Sequence, residues 1–361
     1  MSRGARAEDV LAGVRAGRPT TGPRVVHIDV SNGCNAACVT CWDHSPLLDA
    51  PRSAAWKRGR LPLPRFAALV EQLASLGSVR AVVLSGMGDP LTHPDIYEMI
   101  RLVKAQGWEL TVITNLLLAD PDRLGESGVD QLLVGVQGAG PDSYAAFHPG
   151  WTEVEFFKLC ALLRRLAGYP VRVRHVQVIN RDTADEVVEM VRFGHRFGAD
   201  RVNYKLASLS GGTEGVRITD DQRRRLLEVD LPAARALAEQ LGQRTNLDVF
   251  EAQLRAGGEA TAPIAEIGCL MGYVFTRITV DEDVLYCCNT EIKVGSLRTH
   301  SFAALWGGAA WQALRDRLRA GDYPAACDKC GKIEQNLQWG RRFAAAYGEA
   351  ALRAATGRAD G

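Results

Sequence analysis

The chain has no excess of either charge: 43 Lys and Arg stand against 42 Asp and Glu, a formal net charge of +1. A surface balanced in this way carries no bias towards polyanions, so nucleic acid is not its expected partner. It also lacks any apolar run of about 18 residues, the length that a membrane-spanning helix needs. No signal-peptide pattern opens it. The expectation is a cytoplasmic protein with no membrane partner. Lysine is scarce beside Arg and Ala, and no cysteine follows Cys330. What remains is 361 residues, 47% hydrophobic, enough for one large domain and one small one. Nine cysteines are present, and clustered thiols in a reducing compartment read as metal ligands.

Three of those thiols fall within Cys34-Asn35-Ala36-Ala37-Cys38-Val39-Thr40-Cys41-Trp42. An odd number at a three-then-two spacing cannot all pair as disulfides, and the loop lacks the histidine or second thiol pair of a zinc finger. Three thiolates can ligate three irons of a cubane and leave the fourth iron open to chemistry. The run Val25 to Val30 precedes this loop and reads as a buried parallel strand.

After a long loop, Leu47 to Leu63, the pattern becomes helix, strand, helix, strand. Phe66, Leu69, Val70, Leu73 and Leu76 recur at helical spacing before the apolar run Val79 to Leu84. The unit repeats through strands at Glu109–Ile113, Gln131–Val136, Val171–Ile179 and Arg201–Leu206, with helices predicted at 95–106, 121–126, 153–166 and 184–197. Six such strands predict an α/β fold, a partial (β/α)6 barrel of parallel strands with helices outside. Ligands of such sheets sit at the carboxyl ends of the strands. A single helix is expected over 218–242. Beyond it the pattern changes to a hairpin, Tyr273–Val280 with Val284–Tyr286, that carries the chain to Cys287 and Cys288. With Cys269 and the pair Cys327 and Cys330, one of these completes a four-thiol site. The donor set alone suits zinc or an iron-sulfur cluster. The expected divisions are a leader at 1–24, the barrel at 25–245, a small cysteine domain of hairpin and helix at 246–340, and a C-terminal helix or tail at 341–361.

The C-x3-C-x2-C loop after the first strand resembles the signature of the radical S-adenosylmethionine (SAM) superfamily. Ser85-Gly86-Met87-Gly88-Asp89-Pro90, after the second strand, looks like that family's GGEP turn, with Asp for Glu and Met87 between the glycines. Cys269 through C-x17-C, then Val294-Gly295-Ser296-Leu297, Leu305-Trp306, Leu314-Arg315 and Cys327-x2-Cys330, is similar to the Twitch extension of these enzymes, which resembles SPASM with a single auxiliary cluster. The resemblance implies SAM and two [4Fe-4S] clusters, one on Cys34, Cys38 and Cys41, the other on Cys269, Cys287, Cys327 and Cys330. Adjacent residues of an extended segment face opposite ways, so only one of Cys287 and Cys288 can readily reach the cluster; the resemblance favours Cys287, because members of that family commonly use the first cysteine of such a pair. Gly86, Met87, Gly88, Asp89, Asn115, Gln137 and Asn180 are the expected SAM-binding residues. Thr40 stands where the family often has an aromatic residue.

The overall organisation resembles Twitch-type dehydrogenases that oxidise a sugar alcohol or aminocyclitol in antibiotic biosynthesis. That implies a carbinol oxidised to a ketone and a flavodoxin- or ferredoxin-type electron donor. Epimerisation, modification of a peptide, and a non-enzymatic metal-binding role are the alternatives. Candidate catalytic residues are Cys160 and Cys288 as hydrogen donors, with Arg174 and Lys205 as substrate contacts; His175 and Tyr204 are further candidate contacts.

Overall fold

The computed structural model describes residues 6–258 and 261–358; the ends of the leader and of the C-terminal segment fall outside them. Six strands form in the predicted order: β1 Val25–Asp29, β2 Ala81–Ser85, β3 Glu109–Thr114, β4 Gln131–Gly135, β5 Arg172–Ile179 and β6 Arg201–Leu206. Neighbours in sequence pair in parallel throughout, from Val25 opposite Ala81 to Ile179 opposite Leu206. Alternation along each strand divides the residues. Val26, Ile28, Val82, Leu84, Leu110, Val112, Leu132 and Val134 are all fully buried and share one core with Phe66, Leu69, Met99 and Leu159 of the covering helices. The opposite set, His27, Asp29, Val83, Ser85 and Ile113 among them, lies on the other face of the pleat, the inside of the curved sheet.

The sheet does not stop at β1. The chain returns as β7 Phe275–Ile278, which pairs in parallel with β1, His27 opposite Arg277. β8 Asp283–Leu285 and β9 Lys293–Ser296 then pair antiparallel, giving one nine-stranded sheet in the order β6-β5-β4-β3-β2-β1-β7-β8-β9. Cys287 and Cys288 thus follow β8, whose partner β7 pairs with the strand that leads into the first cysteine loop.

Three local expectations change. The helix expected over 218–242 is interrupted: Asp220–Arg225 and Leu231–Leu241 flank a wide π turn at Leu226–Asp230. Pro232 has no N–H to donate into the preceding turn, and the widened turn accommodates it. A short helix, Pro141–Phe147, was not foreseen; the Gly138-Ala139-Gly140 stretch ahead of it reads as loop, and Pro141 occupies its first turn. The long loop after the first cysteines is anchored rather than free, for Asn32 donates to the Gly59 carbonyl (2.9 Å) and Leu61 to that of Val30 (3.0 Å).

The leader forms a helix, Ala7–Ala16, whose Val10, Leu11 and Val14 pack with Trp339, Phe343 and Leu352 of the C-terminal helices Ile333–Tyr347 and Glu349–Thr356. Arg315 supports the same region. It is buried, donates to the Gly272 carbonyl from Nε (3.0 Å) and Nη2 (2.9 Å) and to that of Trp306 from Nη1 (3.1 Å), and lies over the Trp306 ring. Arg315→Ala removes these donors and opens a cavity, so it should cost about 3 kcal/mol. Urea unfolding of the two proteins checks this, and a loss under about 1 kcal/mol would show that the network contributes little.

Candidate functional site

The first cysteine loop leaves the carboxyl end of β1 and folds on itself. The Cys41 N–H donates to the Cys38 carbonyl (3.0 Å), the Ala36 N–H approaches Cys34 Sγ (3.5 Å) and the His44 N–H approaches Cys41 Sγ (3.3 Å). The unforeseen helix Pro141–Phe147 forms its wall: the Val39 N–H donates to the Phe147 carbonyl (3.0 Å), and Cys38 packs against Val39, Phe147, Ala207 and Leu209. Burial raises all three thiols, Cys34 to about 11, and the charges of their neighbours add to it, Cys41 on Cys34 and both others on Cys38. Such a set ionises readily only against a positive centre, as thiolate ligands do. An open cleft of about 360 Å³ lies over this loop, lined by Cys34, Asn35, His44, Lys57, Gly150 and Trp151 among others. Trp151 closes a stack with His148 and Tyr144, ring centres 4.4 Å apart at each His148 contact, and burial pushes His148 down to about 4.

The glycine turn after β2 has a clear physical role. A Cβ on Gly86 would stand 1.9 Å from the Ser31 carbonyl oxygen, and one on Gly88 1.9 Å from that of Gly33. The turn therefore lies directly on the start of the cysteine loop, fastened by Gly88 N–H to Ser31 O (3.2 Å) and Asp89 N–H to Gly33 O (2.9 Å). Asp89 is fully enclosed and accepts from the N–H groups of Leu91 (2.9 Å) and Asn115 (2.7 Å) and from Thr114 Oγ1 (2.8 Å). Burial raises its pKa while these donors oppose the rise. Asn115, so positioned, donates from Nδ2 to Asn35 Oδ1 (2.8 Å), closing a circuit back to the cysteine loop. A cofactor amino group needs acceptors, and with these N–H groups committed the carbonyl side of the turn is what can supply them.

A second layer, absent from the sequence reading, lines the inside of the sheet below. His27 Nε2 meets Ser85 Oγ, which donates to Asp29 Oδ1 (3.2 Å), and Arg277 Nε donates to Asp29 Oδ2 (2.9 Å). Arg277 also reaches Met87 Sδ (3.4 Å) and the Cys288 carbonyl (3.2 Å). One guanidinium thus touches the end of β1, the glycine turn and the second cysteine segment. Burial, with Arg277 and Lys332 nearby, depresses His27 well below the usual histidine range, so the ring is neutral. The signal was present as polar residues at 27 and 29 in a strand that otherwise reads as continuously apolar.

The second thiol set gathers where Cys269, Cys287, Cys288, Cys327 and Cys330 meet. Burial, with the neighbouring Cys330 and Cys288 adding to it, lifts Cys269 to about 12 and Cys327 to about 11. Residues 286–288 bend away after β8, so the premise that adjacent side chains face opposite ways fails here: the Cys287 and Cys288 thiols share a hydrogen bond. That bond and burial push Cys287 up. The same bond, then Lys332, Arg277 and Lys205, bring Cys288 down to about 6. Cys288 Sγ lies 3.5 Å from where a Cβ on Gly331 would be, against the C-x2-C loop. On that contact we propose Cys288, beside Cys287, as the ligand of this set. All nine cysteines are free thiols. Among the described residues no three His, Cys, Asp or Glu groups stand at the spacing of a single ion. The fit of each set to a cluster rests on its thiol chemistry and the mutual repulsion that a polynuclear cation would relieve.

The remaining candidates divide. Gln137 adopts a left-handed backbone (φ 58°) at the end of β4 and accepts from the Val178 N–H (2.6 Å), tying β4 to β5. Lys205 acts on Cys288 from β6. Five others are engaged elsewhere in the fold. Cys160 is buried in the core between the sheet and the outer helices, away from the site. Arg174 pairs with Asp200 (2.9 Å), which precedes β6, so it serves the amino end of the sheet. Asn180 is fully buried and spent on its own turn, accepting from the Asp182 N–H (3.1 Å) and from Thr183 Oγ1 (3.0 Å). His175 is buried against Phe193, on the helix-covered face with Tyr204, whose hydroxyl donates to the Val187 carbonyl (3.0 Å).

A curved parallel sheet with three thiols after its first strand, a glycine turn after its second and a further thiol set beyond defines an enzyme that holds iron-sulfur clusters beside a small cofactor. Residues 28–194 match the radical SAM superfamily and residues 269–331 the SPASM iron-sulfur cluster-binding domain. The chain belongs to the radical SAM superfamily and carries a C-terminal SPASM domain. It is 24% identical over 317 residues to the AdoMet-dependent heme synthase of Methanosarcina barkeri, covering 82% of this chain and 86% of that protein. It is 27% identical over 184 residues to the PqqA peptide cyclase of Gluconobacter oxydans, covering 50% and 48%. Among solved structures it resembles anSMEcpe with bound AdoMet, TM-score 0.62 at 14% identity over 92% of this chain and 99% of that one. It also resembles Streptococcus suis SuiB bound to S-adenosylmethionine, TM-score 0.63 at 16% identity over 90% and 74%.

Two outcomes test the site. Gly88→Ala should displace the cysteine loop, so that anaerobically reconstituted protein falls from about eight irons per chain to about four; full iron content would show that the loops need no such contact. Cys288→Ala should lose the auxiliary iron while Cys287→Ala keeps it, and the reverse would return the ligand to Cys287.

Proposed function

We propose that this enzyme oxidises a carbinol carbon of a sugar or aminocyclitol to a ketone. When bound, SAM with the cluster on Cys34, Cys38 and Cys41 would supply the radical that removes a hydrogen atom, and an auxiliary cluster an acceptor for the electron that follows. The residues of the chain do the rest. Arg277 carries the argument, because it joins Met87, Asp29 and the Cys288 carbonyl and so ties the glycine turn beside the first thiol set to the segment that bears part of the second. Neutral His27, held by Ser85, which donates to Asp29, lies on the inner face of the sheet beside Arg277, where its depressed pKa suits orienting a hydroxyl and not taking its proton. Full ligation by Cys269, Cys288, Cys327 and Cys330 leaves no site for substrate, which suits an electron relay. The proposal includes a single auxiliary cluster, a flavodoxin- or ferredoxin-type donor for the first one, and a place in antibiotic biosynthesis. Epimerisation loses support with the burial of Cys160, its expected hydrogen donor.

A second reading comes from the heme synthases, which match this chain over most of its length. It keeps the radical oxidation and changes the substrate to a heme precursor.

With SAM, reductant and a panel of aminocyclitols, the enzyme should form 5'-deoxyadenosine in step with a product about two hydrogens lighter, consuming about one SAM per turnover. In heavy water the reacting carbon should stay free of deuterium. An isomeric product carrying one solvent deuterium would establish epimerisation instead, and turnover of a porphyrin but no cyclitol would establish the second reading.

A further inference from the structure

The helix that follows the C-x2-C loop, Ile333–Tyr347, lays one face against the auxiliary thiols. Ile333 and Leu337, four residues apart, pack in one cluster with Cys269, Cys327 and Cys330. Asn336, three residues after Ile333, shares that face and is only 1% exposed. One hydrogen bond fixes its side chain: Oδ1 accepts from the N–H of Leu270 (2.8 Å), the residue after Cys269. That bond decides which end of the amide is which, so the other end, Nδ2, is a donor. Among the described residues it has no partner. A buried N–H left without an acceptor bears the full cost of its desolvation, so such an atom marks an acceptor still to be supplied. An ordered water would need two to four polar partners of its own. The neighbouring side chains Ile264, Ile267, Ile333 and Leu337 offer none, and what the cluster does hold is sulfur.

We propose that the Asn336 side-chain amide donates from Nδ2 to a sulfur of the auxiliary cluster and so favours the reduced form of that cluster. The inference rests on the reading of this thiol set as a cluster site. A neutral thiol is a weak acceptor, whereas the anionic sulfur of a ligated cluster accepts well. The two ends of one amide then serve one group: Oδ1 holds the backbone beside Cys269, and Nδ2 answers the negative charge on sulfur. Hydrogen bonds to the sulfurs are among the determinants of a cluster's potential. A donor stabilises the more negative state most, so it raises the potential, which is the sense that the proposed electron acceptor needs. Asn289, the residue after Cys288, has no such donor to spare, because its Nδ2 is committed to the Ala326 carbonyl (2.7 Å).

The test needs no substrate. In full-length protein with Cys34, Cys38 and Cys41 changed to Ala, the auxiliary cluster is alone, and its reduced form can be followed by electron paramagnetic resonance during a redox titration. Asn336→Asp keeps an oxygen for the Leu270 N–H and removes the donor. At the parent's midpoint it should lower the ratio of reduced to oxidised cluster about ten-fold, about 59 mV for a one-electron couple. Pulsed measurements in heavy water separate the lost donor from the added charge: the parent should show an exchangeable deuteron coupled to the cluster that Asn336→Asp lacks. Identical deuteron couplings in the two proteins would overturn the proposal, and so would coincident midpoints. Should Asn336→Asp hold no iron, the parent labelled with nitrogen-15 in its asparagine side chains supplies the measurement: a coupling of that nitrogen to the reduced cluster supports the proposal and its absence overturns it. A parent that binds no iron would sink the cluster reading itself, a separate result.

Discussion

The buried carboxylate of Asp89 is the constraint on which the site depends. It receives N–H groups from Leu91 and Asn115 and the Thr114 hydroxyl, so it joins the turn after β2 to the carboxyl end of β3. Its own N–H and that of Gly88 fasten the turn to Ser31 and Gly33. Three strand ends are thereby held together beneath the thiols, and each of these groups would be an unsatisfied buried dipole without the others. The two glycines follow from the same constraint, because no side chain fits between the loops. The Asp in place of the family's Glu is at home in this arrangement: its carboxylate serves as scaffold for the backbone.

Continuity of the sheet does for the second site what Asp89 does for the first. Because β7 pairs directly with β1, the auxiliary cysteines are set in register with the first loop instead of hanging from a linker. Arg277 exploits that register. It stands opposite His27, reaches the Asp29 carboxylate and extends to Met87 and Cys288, a bridge that only two adjacent parallel strands can place. The inner face of the sheet is accordingly polar where β1, β2 and β7 meet, with His27, Asp29, Ser85 and Arg277 joined by hydrogen bonds.

Much of this was legible in the chain. The thiol spacing, the glycine turn and the alternation of β-branched runs with helical ones are local signals, and local physics suffices to read them: side-chain period, strand propensity and ligand count. The six parallel strands emerged close to where those signals place them. What failed to show depends on residues far apart in sequence. Cys160 reads as a free thiol until the helix face that it occupies is known to cover the sheet, and Arg174 reads as a substrate contact until Asp200 is found beside it. Cys287 and Cys288 look divided by strand geometry, yet the chain bends at the end of β8 and unites them.

The sequence by itself therefore determined which donors are on offer, since thiol number and spacing belong to short segments regardless of what surrounds them. Tertiary structure alone decided the environment: which thiols gather, which guanidinium bridges the two segments, and which carboxylate is committed to scaffold. The reason is physical. Ligand identity is a property of a short segment, whereas burial, field and hydrogen-bond satisfaction are sums over everything that packs around it, and β7 brings Arg277 against Asp29 across 248 residues of chain.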